Sequence, residues 1–108
     1  MIRVSVVYQN AEGKKFDMSY YCTKHMPMVK QKLGSACKRV DVDQGMGGPQ
    51  PGSRPAFVAM AHLTFDSVDA FQKAFAPHSD AIMGDVPNYT DIQPVIQINE
   101  VKTIGGAV

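Results

Sequence analysis

The sequence predicts an α+β domain of order βαββαβ, with an antiparallel four-stranded sheet and two helices on one face. Three observations carry that prediction. Apolar residues alternate with period two near the start, in the middle and near the end of the chain. Two segments of helical period lie between those stretches, and a Gly/Pro-rich stretch divides the two strand–helix–strand halves.

Residues 2–9 place Ile2, Val4, Val6 and Tyr8 on one side and Arg3, Ser5, Val7 and Gln9 on the other, the pattern of a strand with one clearly apolar face. Asn10-Ala11-Glu12-Gly13 reads as a turn. Residues 17–33 read as a helix, capped by Asp17 and ended by Gly34. At about 100° per residue, Met18, Tyr21, Cys22, His25 and Val29 share the arc that should face the sheet, with Tyr20 and Lys24 directed elsewhere. Pro27 sits inside this helix without an N–H to donate, and Met26 before it is biased away from helical angles. A kink near His25–Pro27, or two short helices meeting there, is expected.

Residues 36–44 form a second strand whose Lys38, Arg39, Asp41 and Asp43 suit a sheet edge. The segment 45–55 is a loop. Residues 56–65 are apolar on both faces, the mark of a central strand. Asp66 or Ser67 caps the second helix, whose stripe is Val68, Phe71, Phe75 and Ile82, interrupted at Pro77. Residues 91–101 form the last strand, with Ile92, Ile96 and Ile98 opposite Asp91, Gln93, Gln97 and Asn99. The tail 103–108 is expected to fray.

Two such units in series give a ferredoxin-like sheet. The face away from the helices then carries Ser5, Val7, Val58, Met60, His62, Val95 and Gln97, too apolar a surface to leave in water. A second copy packed face to face would cover it, which makes a symmetric homodimer the expected state.

The chain's 108 residues suit one domain, taken as 1–108. Eleven basic and ten acidic residues leave a formal charge of +1, with no broad draw toward nucleic acid or membrane. No apolar run approaches the ~20 residues that span a bilayer, and the first residues read as strand, not as a secretion signal. Cys22 and Cys37 are too few for a disulfide framework and read as reduced thiols in a cytoplasmic protein.

Among residues that could carry chemistry, His25 stands first. Its imidazole can exchange a proton near neutral pH, and it lies on the inward arc beside the proline. A structural histidine bonded to a backbone carbonyl fits the same position. Cys22 stands three residues before it and could form a nucleophilic pair with it, although a buried inert cysteine is the commoner case. His25, His62 and His78 are far apart, with no HxxxH or CxxC spacing, so no metal site is expected. Met18, Met26 and Met28 suit core filling or an adaptable apolar pocket. In Asp85-Val86-Pro87-Asn88-Tyr89-Thr90-Asp91, Asn88 and Tyr89 offer hydrogen-bonding groups within what is otherwise a helix-to-strand turn.

Phe16-Asp17-Met18-Ser19-Tyr20-Tyr21-Cys22-Thr23-Lys24-His25-Met26-Pro27 resembles the F-D-x-x-Y-[YW]-x-x-x-H-x-P pattern of the EthD (ethyl tert-butyl ether degradation) family. The run from Asp85 through Asn88, Tyr89, Thr90 and Asp91 to Pro94 resembles that family's closing part. The resemblance implies a dimeric α/β barrel and a pocket for a small hydrophobic organic compound. It implies His25 as the catalytic candidate, with Tyr21, Asn88 and Tyr89 as substrate-binding candidates, and no cofactor. It also implies a role in small-molecule catabolism such as ether degradation. Catalysis would be that of a cofactor-independent lyase, isomerase or monooxygenase-like enzyme. A non-catalytic accessory or ligand-binding dimer beside a monooxygenase system is the alternative, and a haem-binding or purely structural dimer is a third.

Overall fold

The computed structural model describes residues 1–103. Strands β1 (Ile2–Gln9), β2 (Arg39–Gln44), β3 (Phe57–Phe65) and β4 (Val95–Glu100) form one sheet in the order β2-β3-β1-β4. All three pairings are antiparallel. This is the α+β, ferredoxin-like arrangement, with β3 central and the charged β2 at an edge. The expected fraying of the tail concerns residues that lie, from 104 onward, outside the described ones.

The first helical segment is continuous. It runs through α1 (Met18–Tyr20), a π turn (Tyr21–His25) and α2 (Met26–Leu33). The Asp17 carboxylate accepts from the Tyr20 N–H at 3.0 Å and caps its start. Gly34, at φ 62°, closes its end in a conformation that a side chain would resist. The second segment is α3 (Val68–Phe75), a 3₁₀ turn (Ala76–His78) and α4 (Ser79–Gly84). Ser67 is its cap, accepting from the Ala70 N–H at 3.0 Å.

Two short α-helices meet through the π turn just before Pro27. Met26 keeps helical angles (φ −66°, ψ −37°), and its N–H donates to the Tyr21 carbonyl five residues back. One extra residue in that turn accommodates the missing proline donor and resets the helical phase. The inward arc therefore differs from a regular helix. Tyr21, His25, Met26, Val29 and Leu33 are buried, while Cys22 is exposed. The expectation that Cys22 faces the sheet is corrected by this single turn.

Two strands are shorter than their sequence pattern suggests. The residues after Gly34 first take a 3₁₀ turn (Gly34–Ala36), so β2 begins at Arg39. The last strand begins at Val95, directly after Pro94, which has no N–H for a ladder. Ile92 is buried, but in the turn before the strand, where its N–H donates to the Thr90 hydroxyl at 3.0 Å. Asp91 and Gln93 likewise lie outside β4. Val68 is exposed rather than part of the buried stripe.

Register builds the core. Val4 lies between Leu63 and Ile98, and Val6 between Ala61 and Ile96. Val4, Ala61 and Leu63, together with Tyr8, Ala59 and Phe65, form the sheet's side of a core completed by Tyr21, Val29, Leu33 and Ile82 from the helical layer, with Val6 packed against it, while Ile96 and Ile98 on the edge strand are exposed. The molecule measures 40 × 38 × 20 Å, the thickness of one sheet and one helical layer. On the opposite face His62 lies across from Ser5, and Met60 and Val95 flank Val7. Ser5 is the hub of that face: its hydroxyl is bonded to His62 Nδ1 at 2.8 Å and accepts from Asn99 Nδ2 at 3.0 Å.

Two glycines should respond oppositely to alanine. A Cβ at Gly45 would stand 2.1 Å from the Phe57 carbonyl oxygen, whereas one at Gly84 meets nothing within 4 Å. Gly45→Ala should lower the unfolding free energy by about 1–3 kcal/mol through overpacking. Gly84→Ala, at a helical position without positive φ, should raise it by about 0.4–1 kcal/mol. Urea denaturation of both variants checks the pair.

Candidate functional site

Two distant parts of the chain are joined by backbone bonds. The Asp17 N–H donates to the Tyr89 carbonyl at 2.8 Å, and the Lys15 N–H donates to Asp91 Oδ1 at 2.9 Å. Phe16 and Thr90 form an isolated antiparallel bridge between them. The result is that Tyr89 is set against the first turn of the helix that carries Tyr21 and His25. Tyr8, Phe16, Tyr21 and Tyr89 pack as an aromatic cluster with ring centroids 4.9–6.0 Å apart, mostly edge to face.

The π turn aligns Tyr21 and His25. Four residues apart, they stack with centroids 5.6 Å apart and planes 14° from parallel. Both side chains line a cavity of about 280 Å³ between helices and sheet. Its wall is almost wholly apolar, with Val6, Leu63 and Ile96 from the sheet and Met26, Phe71, Phe75 and Ile82 from the helices. Tyr8, Tyr21 and His25 supply its polar end. Pockets for small ligands have this character, an apolar wall with a few placed polar groups.

His25 is held from two sides. Its Nδ1 lies 2.9 Å from Asp85 Oδ2, and its Nε2 lies 3.3 Å from the Tyr89 hydroxyl. A carboxylate only accepts, so the network assigns the proton to Nδ1 and leaves a lone pair on Nε2. The Tyr89 hydroxyl then donates to Nε2 and accepts from the Tyr8 hydroxyl 2.7 Å away. Asp85 is itself fixed: the Tyr20 hydroxyl and Asn88 Nδ2 both donate to its Oδ1 at 2.8 Å.

The electrostatics follow from this geometry. Burial lowers the His25 pKa from its ordinary 6.5, and the bond to Asp85 with its charge offsets this only in part. The resting imidazole is therefore neutral. Burial pushes the Asp85 carboxyl upward, but the bonds from Asn88, His25 and Tyr20 outweigh it and hold the group below 3.8. Desolvation raises the Tyr8 and Tyr89 phenols above their ordinary 10.0, so both stay protonated. The Tyr21 hydroxyl is buried without a hydrogen-bond partner among the described residues.

Of the residues singled out in the sequence, His25, Tyr21 and Tyr89 come together here. Asn88 is exposed and outside the cavity wall; it reaches the site only through Asp85. Cys22 points away, its thiol 3.7 Å from the Met18 sulfur. Among the described residues no group of three or more His, Cys, Asp or Glu side chains could hold a metal ion, and no helix is long and apolar enough to cross a membrane. Asp85, Tyr8 and Tyr20 were not foreseen. Asp85 opens the second motif run and Tyr20 holds the fixed tyrosine of the first, signals that could have been paired with His25; Tyr8 carries no comparable mark.

The family model for the EthD domain matches residues 12–93. The chain belongs to the EthD family. Among solved structures, an EthD-like protein of Ralstonia eutropha JMP134 is 49% identical, with 96% of this chain and 94% of that one covered and a TM-score of 0.91. An EthD family protein of Bacillus halodurans C-125 is 17% identical, with coverage of 94% and 99% and a TM-score of 0.65. A protein of Arabidopsis thaliana is 10% identical, with coverage of 97% and 99% and a TM-score of 0.69. These last two likenesses are of fold alone. No curated protein matches the chain significantly.

In this EthD domain, acid should destabilise the fold first through His25. A base whose folded pKa is lowered binds fewer protons in the folded state, so its stabilising effect is complete above 6.5 and is lost as pH falls toward the folded value. The Asp85 contribution is lost later, below 3.8. The expected outcome is an unfolding free energy that declines on acidification below pH 6.5, with the early part of the decline missing in His25→Gln. Denaturant titration across pH, with the His25 ring followed by NMR, checks both the sign and the assignment.

Proposed function

We propose that this protein is a small-molecule catabolic protein of the EthD type, which takes a small hydrophobic organic compound into the apolar cavity and uses His25 to move a proton. The observation that carries this reading is the Asp85–His25–Tyr89–Tyr8 hydrogen-bond chain ending at a cavity with an otherwise apolar wall. A neutral imidazole with Nδ1–H held by a carboxylate is a competent proton acceptor through Nε2. Tyr21, on the cavity wall, would contact the substrate, and Tyr89, buried behind the wall, would act through its bond to His25. Asn88, given its exposure, would act by holding Asp85. The chemistry would be that of a cofactor-independent lyase, isomerase or monooxygenase-like enzyme, in keeping with catabolism of the ether-degradation kind and a cytoplasmic setting.

The apolar wall also favours a second reading, a non-catalytic accessory protein that holds a hydrophobic metabolite for a monooxygenase system. Such a wall retains a ligand by burial with few directional contacts. Native mass spectrometry of the purified protein, followed by turnover screens on small ethers and apolar carbonyl compounds, separates the two. Under the catalytic reading, His25→Gln should lower kcat by about 100-fold or more, with Asp85→Asn reducing it in the same direction. Full turnover in His25→Ala would remove His25 from the mechanism. A retained ligand with no turnover in the unaltered protein would establish the accessory role.

We also propose that the sheet face bearing Val7, Met60, His62 and Val95 packs on a second copy. Val95 is 49% exposed on an edge strand, and an apolar strip left in water is disfavoured. Sedimentation at micromolar concentration should give twice the chain mass of 11.8 kDa. Monomer mass under those conditions would exclude the pairing.

A further inference from the structure

The lone pair of His25 Nε2 does not face an empty space: the Tyr89 hydroxyl already occupies it at 3.3 Å. Tyr89 is buried to 1% exposure and is not part of the cavity wall. Its oxygen in turn meets the Tyr8 hydroxyl at 2.7 Å, and Tyr8 does belong to the wall. The cavity's apolar lining offers no other oxygen acid or base at that end except Tyr21, whose hydroxyl has no hydrogen-bond partner within bonding distance among the described residues. We propose that Tyr8 is the catalytic residue that touches the substrate, a carbonyl compound with a C–H bond on the adjacent carbon, and that the proton reaches His25 through Tyr89. This rests on the reading of His25 as a proton shuttle.

The step balances without any added reagent. The substrate C–H bond breaks and its proton goes to the Tyr8 oxygen, while the electron pair stays on the substrate as an enolate. The Tyr8 proton passes to the Tyr89 oxygen, and the Tyr89 proton to His25 Nε2. The imidazolium so formed faces the Asp85 carboxylate, 2.9 Å from Nδ1. Burial holds both phenols in the protonated form, so the transfers run together rather than through a free phenolate. The reverse sequence returns a proton to the enolate at the same or another carbon, which is the chemistry of an isomerase.

The direct alternative has the substrate displace Tyr89 and meet Nε2 itself. The two differ in sign at one position. If the proton travels through the phenols, Tyr89→Phe interrupts the path; if the substrate meets Nε2 directly, Tyr89→Phe frees the lone pair.

Exchange of the α-protons of 2-tetralone into D₂O, followed by NMR, reads the step with no knowledge of the natural substrate. The unaltered protein should accelerate exchange, and Tyr8→Phe and Tyr89→Phe should each lose about 100-fold. The His25 ring signal should show that the site remains folded in both variants. Exchange retained in Tyr8→Phe, or raised in Tyr89→Phe, with His25→Gln inactive, would overturn the relay and leave the shuttle role of His25 standing. No exchange by the unaltered protein would overturn both.

Discussion

The site depends on one short piece of antiparallel pairing, that of residues around Phe16 with those around Thr90. The Asp17 N–H to Tyr89 carbonyl bond ties the first helical segment to the turn that follows the second. Neither segment alone carries a complete site. His25 and Asp85 are 60 residues apart in sequence, and Tyr8 and Tyr89 are 81 apart. The hydrogen bonds at this bridge set Tyr89 against the helix that carries His25, while β1 supplies Tyr8 from the sheet. The Thr90 hydroxyl, which donates to the Lys15 carbonyl and accepts from the Ile92 N–H, locks the same junction.

Much of the fold was legible because its elements obey simple periods. β1 has the predicted bounds, and β3 differs by one residue. Asp17, Ser67 and Gly34 mark helix ends where a short polar side chain or a missing Cβ is needed. The misreadings share a physical origin in departures from those periods. A π turn adds one residue, and every helical position after it rotates; this expels Cys22 and buries Met26. Pro94 removes a ladder donor and delays β4 to Val95.

The site itself was half legible. His25, Tyr21 and Tyr89 announce themselves by residue type and by their motif. Asp85 opens its motif run but does not reveal its partner there, since an aspartate in a helix-to-strand turn is ordinary turn chemistry. Its importance lies in three donors converging on it from Tyr20, His25 and Asn88, and convergence is a property of three dimensions. Tyr8 is silent in sequence, one more apolar position on an alternating strand. Tyr20, placed away from the sheet by a regular helical wheel, is turned toward Asp85 and stacks on Tyr89 at 6.1 Å.

The same convergence decides where a proton can rest. A carboxylate and an imidazole 2.9 Å apart could share a proton in either of two ways. With Tyr20 and Asn88 also donating to it, Asp85 is stabilised as an anion, and a proton on its oxygen would cost those bonds their charge assistance. His25 is buried and uncharged at rest, so adding a proton there creates a cation in a poorly solvated place. That cation is tolerable only because a fixed anion already faces it. The geometry thus makes His25 the temporary holder of a proton and Asp85 its permanent counter-charge, and it does so with donors drawn from the first helix and from the turn after the second.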